Sequence, residues 1–159
     1  MIFVTVGSML PFDRLVEAMD TWAAANPSVE VFAQIGEGRF IPKTCRWERM
    51  IEPAEFDAKC LEAEVVVAHA GMGTILSTLQ SRRPLVIMPR RADLREHTTN
   101  HQIATAERFG GRQGITVVED APTLWKVLEE KNYRAPESQL SSFASADLID
   151  RVRTFIQSS

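Results

Sequence analysis

The sequence predicts an α/β fold built on a doubly wound parallel sheet. Three observations carry that expectation. Five short apolar runs punctuate the chain: Ile2–Val6, Val29–Ile35, Glu64–Ala68, Leu85–Met88 and Ile115–Val118. Several are unbroken, such as Val65-Val66-Val67 and Leu85-Val86-Ile87-Met88, which suits strands covered on both faces. Amphipathic segments lie between them, and strands alternating with helices imply βαβ units with right-handed crossovers.

The helical segments follow in order. Pro11–Ala25 carries Phe12, Leu15, Val16, Met19 and Trp22 at the spacing of one helical face. Pro53–Ala63 offers Phe56, Cys60 and Leu61, and Thr74–Ser81 follows Gly73. Thr99–Phe109 carries Ile103, Ala106 and Phe109, and Thr123–Glu130 carries Leu124, Val127 and Leu128. Arg49-Met50-Ile51 is a weaker sixth strand candidate, and Gly36–Trp47 shows no helical stripe. Residues 1–131 read as one domain. Asn132–Ser145, rich in Ser, Pro and Ala, reads as a linker. A last helix is expected over 146–159, with Leu148, Ile149, Val152, Phe155 and Ile156 on one stripe. That stripe packs on the domain's own sheet or on another chain.

Composition narrows the function classes. With 159 residues, 45% hydrophobic and 25% charged, the chain is neither disordered, collagenous nor a coiled coil. No apolar run reaches the roughly 18–20 residues that cross a bilayer, and the first residues lack a basic secretory start. Cys45 and Cys60 have no metal-ligand spacing and read as reduced thiols in a cytoplasmic setting. Eighteen basic against 21 acidic residues give a net charge of −3, no electrostatic reason to expect nucleic acid as a partner.

In open α/β sheets, ligands bind beyond the carboxyl ends of the strands, so the residues after each apolar run matter most. Gly7-Ser8 follows the first run, where glycine allows a sharp turn and a helix start favours an anion. A simple strand–helix turn with a cap explains it as well. His69-Ala70-Gly71-Met72-Gly73-Thr74 follows the third run. Its two glycines permit close approach of a phosphate, and the Thr74 hydroxyl and neighbouring amides suit a diphosphate. It is not a P-loop, since no Gly-Lys-Ser/Thr follows, and G-x-G-x-x-G is incomplete. A glycine-rich turn with a Thr cap is the plain alternative. Residues 90–102 hold Arg90, Arg91, Arg95, His97, Asn100, His101 and Gln102. Arginine forks suit a diphosphate, and the polar helix start suits hydroxyls; a solvated loop and a capped helix explain the same residues. Neither a zincin pattern nor an Asp-x-Asp pair points to a metal.

Taken together, these pieces resemble the C-terminal, donor-binding half of the family-28 glycosyltransferases. The matching stretches are Phe3–Ser8 with Pro11–Val16, His69–Leu76, Arg82–Pro89 and Asn100-His101-Gln102. Within the family the chain looks most like small single-domain subunits. These are the catalytic subunit of the two-part, dolichol-linked N-acetylglucosamine transferase and bacterial exopolysaccharide subunits. The resemblance implies one Rossmann-like half of a GT-B glycosyltransferase, with residues 1–131 holding a UDP-sugar and no cofactor. Gly7 and Ser8 would form the first phosphate-side loop. Gly71, Met72, Gly73 and Thr74 would form the turn at the diphosphate. Arg90 or Arg91 would offset its charge. His101 and Gln102, beside Asn100, would meet the sugar. The family often carries a carboxylate three residues after the Thr74 position, on the ribose hydroxyls; here that residue is Ser77. The implied reaction moves a hexosyl group, with inversion, to a lipid-linked acceptor in polysaccharide synthesis. His97, Asp93 and Glu96 are base candidates, as is a residue of a partner. The acceptor half would be a separate membrane-associated subunit that holds this chain at the inner face of the membrane. Homo-oligomerisation of the isolated chain stays open. The rival readings are a non-catalytic nucleotide-sugar-binding subunit and an assembly subunit.

Overall fold

The structure is a computed structural model that describes residues 1–137. Six strands form one sheet: β1 (Ile2–Thr5), β2 (Val31–Gln34), β3 (Arg46–Glu48), β4 (Val65–His69), β5 (Leu85–Met88) and β6 (Ile115–Val117). The helices are α1 (Asp13–Ala25), α2 (Pro53–Glu62), α3 (Met72–Gln80), α4 (His101–Phe109) and α5 (Ala121–Glu129). Strand order is β3-β2-β1-β4-β5-β6, and every pairing is parallel. The build direction therefore reverses between β1 and β4, where Ile2 pairs with Val65 and Thr5 with Ala68.

The pleat explains the two cores. Ile2, Val4, Val65 and Val67 point to one face, onto Leu15, Met19 and Trp22 of α1 and Leu124 and Leu128 of α5. Phe3, Val66 and Ala68 point to the other, onto Cys60 of α2, Ile75 and Leu79 of α3 and Ala106 of α4. Successive side chains of a strand face opposite ways, so a run buried on both faces reads as continuous in sequence. Both free thiols are buried. Burial, with the nearby Asp20 carboxylate, pushes Cys45 up to about 12, and burial chiefly pushes Cys60 up to about 11, so neither is a ready nucleophile.

One strand differs from expectation. The sixth strand lies at Arg46–Glu48 rather than Arg49–Ile51, and all three of its residues are exposed. It is an edge strand held by backbone pairing to β2, so it needs no apolar run and leaves no hydrophobic signal. The β2–β3 connection contains no helix. Two carboxylates of α1 hold it instead. Asp13 accepts from the amides of Arg39 and Phe40 at 3.2 Å each. Asp20, itself buried, accepts from the amides of Lys43, Thr44 and Cys45 at 2.8–2.9 Å.

Residues 132–137 form no helix or strand, yet they lie against the domain. Tyr133 donates to Glu64 at 3.1 Å, and Pro136 sits against Gly114. Residues 138–145 and the helix expected over 146–159 lie outside the described residues. Among the described residues, no helix is long and apolar enough to cross a membrane.

Burial alone would raise the Asp20 pKa, but the three amides outweigh it and hold the carboxyl below its usual value. Its contribution is therefore present above the ordinary carboxyl pKa and fades as pH falls through the lower folded value. Asp20→Ala should cost about 2–3 kcal/mol at pH 7 by leaving the buried Cys45 amide and the part-buried amides of Lys43 and Thr44 without an acceptor. In urea unfolding the gap to wild type should narrow below about pH 4.

Candidate functional site

The reversal between β1 and β4 opens a crevice at their carboxyl ends. Into it run the β1–α1 loop, the β4–α3 turn and the 90–97 loop. His69, the last residue of β4, stands at the centre. Its ring is wedged between Gly7 and Gly71: a Cβ on Gly7 would meet His69 Cε1 at 2.6 Å, and one on Gly71 would strike Nε2 closer still. Gly7 also has φ +75°, which glycine adopts without cost. These two glycines thus admit a histidine rather than a ligand. Gly73 is the opposite case, because a Cβ there meets nothing within 4 Å.

His69 is 9% exposed, and its Nδ1 makes no hydrogen bond. Burial first, then the Arg90 charge, push its pKa down to about 4, the nearby Thr5 backbone opposing. The ring is neutral at pH 7. Beside it α3 begins at Met72 with Gly71 as its cap residue and no side chain capping it. The amides of Met72, Gly73 and Thr74 make no hydrogen bonds among the described residues, and free amides at a helix start attract anions.

Two cavities flank this turn and share Gly7, Ser8, Gly73 and Thr74. One, of about 300 Å³, adds Met9, Leu10, His69, Arg90, His97 and Gln102 to its lining. The other, of about 430 Å³, adds Gln34, Met50, Ile51, Phe56, Asp57 and Ser77. The wall between the loops is fixed by a short Thr5–Gln34 hydrogen bond of 2.5 Å. Gln34 Nε2 also donates to the Gly7 carbonyl at 2.9 Å.

The structure thus brings Gly7, Ser8, Gly73, Thr74, Arg90, His97 and Gln102 to one cavity and Ser77 to its neighbour. Gly71 lies under the ring of His69. Met72 and His101 line a separate groove against α4. Arg91 is partly exposed and grips Asp93 through two hydrogen bonds, at 2.8 and 3.1 Å. Asn100 Oδ1 accepts from the Ala92 amide at 3.1 Å.

Several of these side chains hold loops. Arg90 is 3% exposed and donates to the carbonyls of Val6, Leu10 and Pro11. Burial lowers its pKa to about 10, the Glu96 charge offsetting part of that, so it stays a cation beneath the cavity. Glu96 takes Arg14 at 2.6 and 2.9 Å and the Arg91 amide at 2.9 Å. Both its oxygens are committed. Gln102 Oε1 accepts from the amides of Ala70 and Arg90, at 3.2 and 3.0 Å, and so ties the ends of β4 and β5 together. His97 Nδ1 accepts from the Thr99 amide at 3.1 Å. With Nδ1 accepting, Nε2 is the ring nitrogen that carries a proton and offers a donor. His69 is the site residue that the sequence reading passed over. Its signal was a histidine at a strand end with glycines beside it and across the sheet.

A parallel sheet of this order, with an open helix start at its reversal point, defines a doubly wound α/β domain with a crevice at its switch point. The sequence profile of the glycosyltransferase family 28 C-terminal domain matches residues 1–150, and the chain belongs to that family. Among curated relatives, the UDP-N-acetylglucosamine transferase subunit ALG13 of Mus musculus is 30% identical over 123 residues. That match covers 67% of this chain and 10% of the mouse protein, so the chain spans about a tenth of that relative's length. Among solved structures, the calicheamicin glycosyltransferase CalG4 superposes with a TM-score of 0.64 at 19% identity, over 98% of this chain and 43% of that one. The solution structure of ALG13 gives 0.59 at 15% identity, over 87% of this chain and 90% of that one. The fold is one Rossmann-like half of the GT-B type.

The wedged histidine has a pH signature. Below about pH 6.5 the unfolded chain binds a proton that the folded chain refuses until about pH 4. Stability is therefore lost as pH falls through that window, by about 3 kcal/mol from this group. Replacing His69→Gln should remove that part of the slope in urea unfolding between pH 7 and 4. An unchanged slope would mean that His69 is protonated in the folded protein.

Proposed function

We propose that this chain is the donor-binding and catalytic subunit of a two-component glycosyltransferase that uses a UDP-sugar. The observation that carries the reading is the uncapped start of α3. Of the free amides of residues 72–74, those of Gly73 and Thr74 belong to residues lining two cavities that meet over Gly7, Ser8, Gly73 and Thr74. The diphosphate sits on those amides, with the buried Arg90 cation behind it. The nucleoside takes the larger cavity. The sugar takes the smaller, under His69, His97 and Gln102. The UDP donor also accords with the name of the mouse relative, a UDP-N-acetylglucosamine transferase subunit.

In the proposed reaction the acceptor hydroxyl oxygen bonds to the anomeric carbon from the face opposite the diphosphate. The anomeric carbon–phosphate oxygen bond breaks, and UDP leaves with the electron pair. Developing negative charge on the diphosphate is met by amide dipoles already in place. The hydroxyl proton goes to a base within hydrogen-bond reach. Glu96 and Asp93 are held by arginines, and His97 presents a donor, so the base comes from the partner that carries the acceptor. That partner is a membrane-associated subunit binding a lipid-linked saccharide, and it holds this chain at the cytoplasmic face. The same committed carboxylates favour one rival, a subunit that binds the nucleotide sugar without contributing to chemistry. Purification of the native complex and a screen of UDP-sugars for turnover separates the two. Activity that survives loss of donor binding in this chain would establish the rival.

Gly73→Val tests the cradle directly. The new side chain enters open space, so stability should stay within about 1 kcal/mol of wild type. UDP affinity by titration calorimetry should fall at least about tenfold, the cost of one or two lost amide–phosphate hydrogen bonds. An unchanged dissociation constant with a folded variant would place the diphosphate elsewhere.

A further inference from the structure

The larger cavity contains one charged side chain, Asp57 of α2. Among the described residues, Asp57 makes no salt bridge and no hydrogen bond; its charge acts on Cys60, helping to raise that thiol's pKa. Of the other polar side chains there, Thr5 and Gln34 are spent, and the hydroxyls of Ser8 and Thr74 lie on the side of the α3 turn. Thr5 and Gln34 bind each other, and Gln34 Nε2 serves the carbonyls of Gly7 and Arg49. Ser77 Oγ, on the α3 side, makes no hydrogen bond either but carries no charge. The remaining wall is apolar: Met50, Ile51, Pro53 and Phe56. Phe56 is itself braced edge-on by Phe3 at 5.4 Å.

An apolar wall with one unpaired carboxylate, next to an amide cradle for a diphosphate, has a chemical complement. The wall suits a planar base. The carboxylate suits a vicinal diol, whose two O–H donors find their strongest partner in an anionic acceptor. We infer that Asp57 grips the ribose hydroxyls of the donor nucleotide, from α2 rather than α3, with Ser77 as a neutral second contact. The inference rests on the donor reading above and names the group that selects a ribonucleotide. Lying on the exposed side of a helix, Asp57 bears no structural load that a substitution would remove. It is a specificity-determining residue and takes no part in bond making.

The test measures binding of UDP, 2′-deoxy-UDP and 3′-deoxy-UDP to the full chain by calorimetry. Wild type should lose about tenfold in affinity when the hydroxyl held by Asp57 is removed. Asp57→Asn should bind UDP about tenfold more weakly than wild type and should no longer distinguish UDP from the deoxy analogues. Glu55→Gln, a neighbour on α2 outside the cavity, should match wild type. Asp57→Asn binding UDP within twofold of wild type would overturn the inference and leave the donor reading standing. So would equal losses for all three ligands, which mark a general structural effect. Wild-type protein that binds no UDP would overturn the donor reading, and the Asp57 assignment with it.

Discussion

The whole site hangs on the close approach of β1 and β4 at their carboxyl ends. These strands pair in parallel where the sheet changes its direction of growth. A neutral imidazole is pressed between the two chain segments that leave them. That wedge requires glycine on both sides, at Gly7 and Gly71. It sets the separation of the β1–α1 loop from the start of α3. With that separation fixed, the amides at the head of α3 open onto a crevice rather than onto their neighbours. A charged histidine there would sit beside Arg90 in a dry site. Burial and that cation together keep the ring unprotonated.

A second layer of order surrounds the wedge, and it is electrostatic. Arg90 binds three carbonyls of the β1–α1 loop, and Arg14 ties Glu96 to the ends of β5 and β6 through Pro89 and Glu119. Phe12 lies between the two guanidinium groups, 5.0 and 5.2 Å from its ring centre. The arginines thus act mainly as girders. Arg90 still contributes charge at the wall of the smaller cavity. A buried cation held in place by three loop carbonyls gives a fixed field, and fixed charge needs no reorganisation when a ligand arrives.

The strands and helices that build the two cores were legible because burial on both faces leaves unbroken apolar runs. Val65–Val67 and Leu85–Met88 could hardly be anything else. β3 was not legible: Arg46, Trp47 and Glu48 pair through the backbone at the sheet edge, with one exposed ion pair from Arg46 to Glu30. The glycine-bearing turns were found, but their division of labour was not. Sequence spacing treats Gly7, Gly71 and Gly73 alike, whereas packing assigns two to His69 and one to open space. The polar segment 90–102 misleads for a similar reason. Its residue types suit ligands, yet Glu96, Asn100 and the Gln102 oxygen accept from backbone amides that irregular loops leave unpaired. Asp57 lies far from every motif in the chain and reaches the crevice only through the packing of α2 on the sheet.

The central claim is that the head of α3 and the β1–α1 loop form one diphosphate cradle. Amide NMR of the isotopically labelled chain during titration with UDP reads that claim residue by residue. The account predicts the largest shifts at the amides of Gly73 and Thr74, with Gly7 and Ser8 following at the same ligand concentration. Shifts concentrated at residues 112–116 and 133–137, on a different rim of the sheet, would contradict it, as would a spectrum that UDP leaves unchanged.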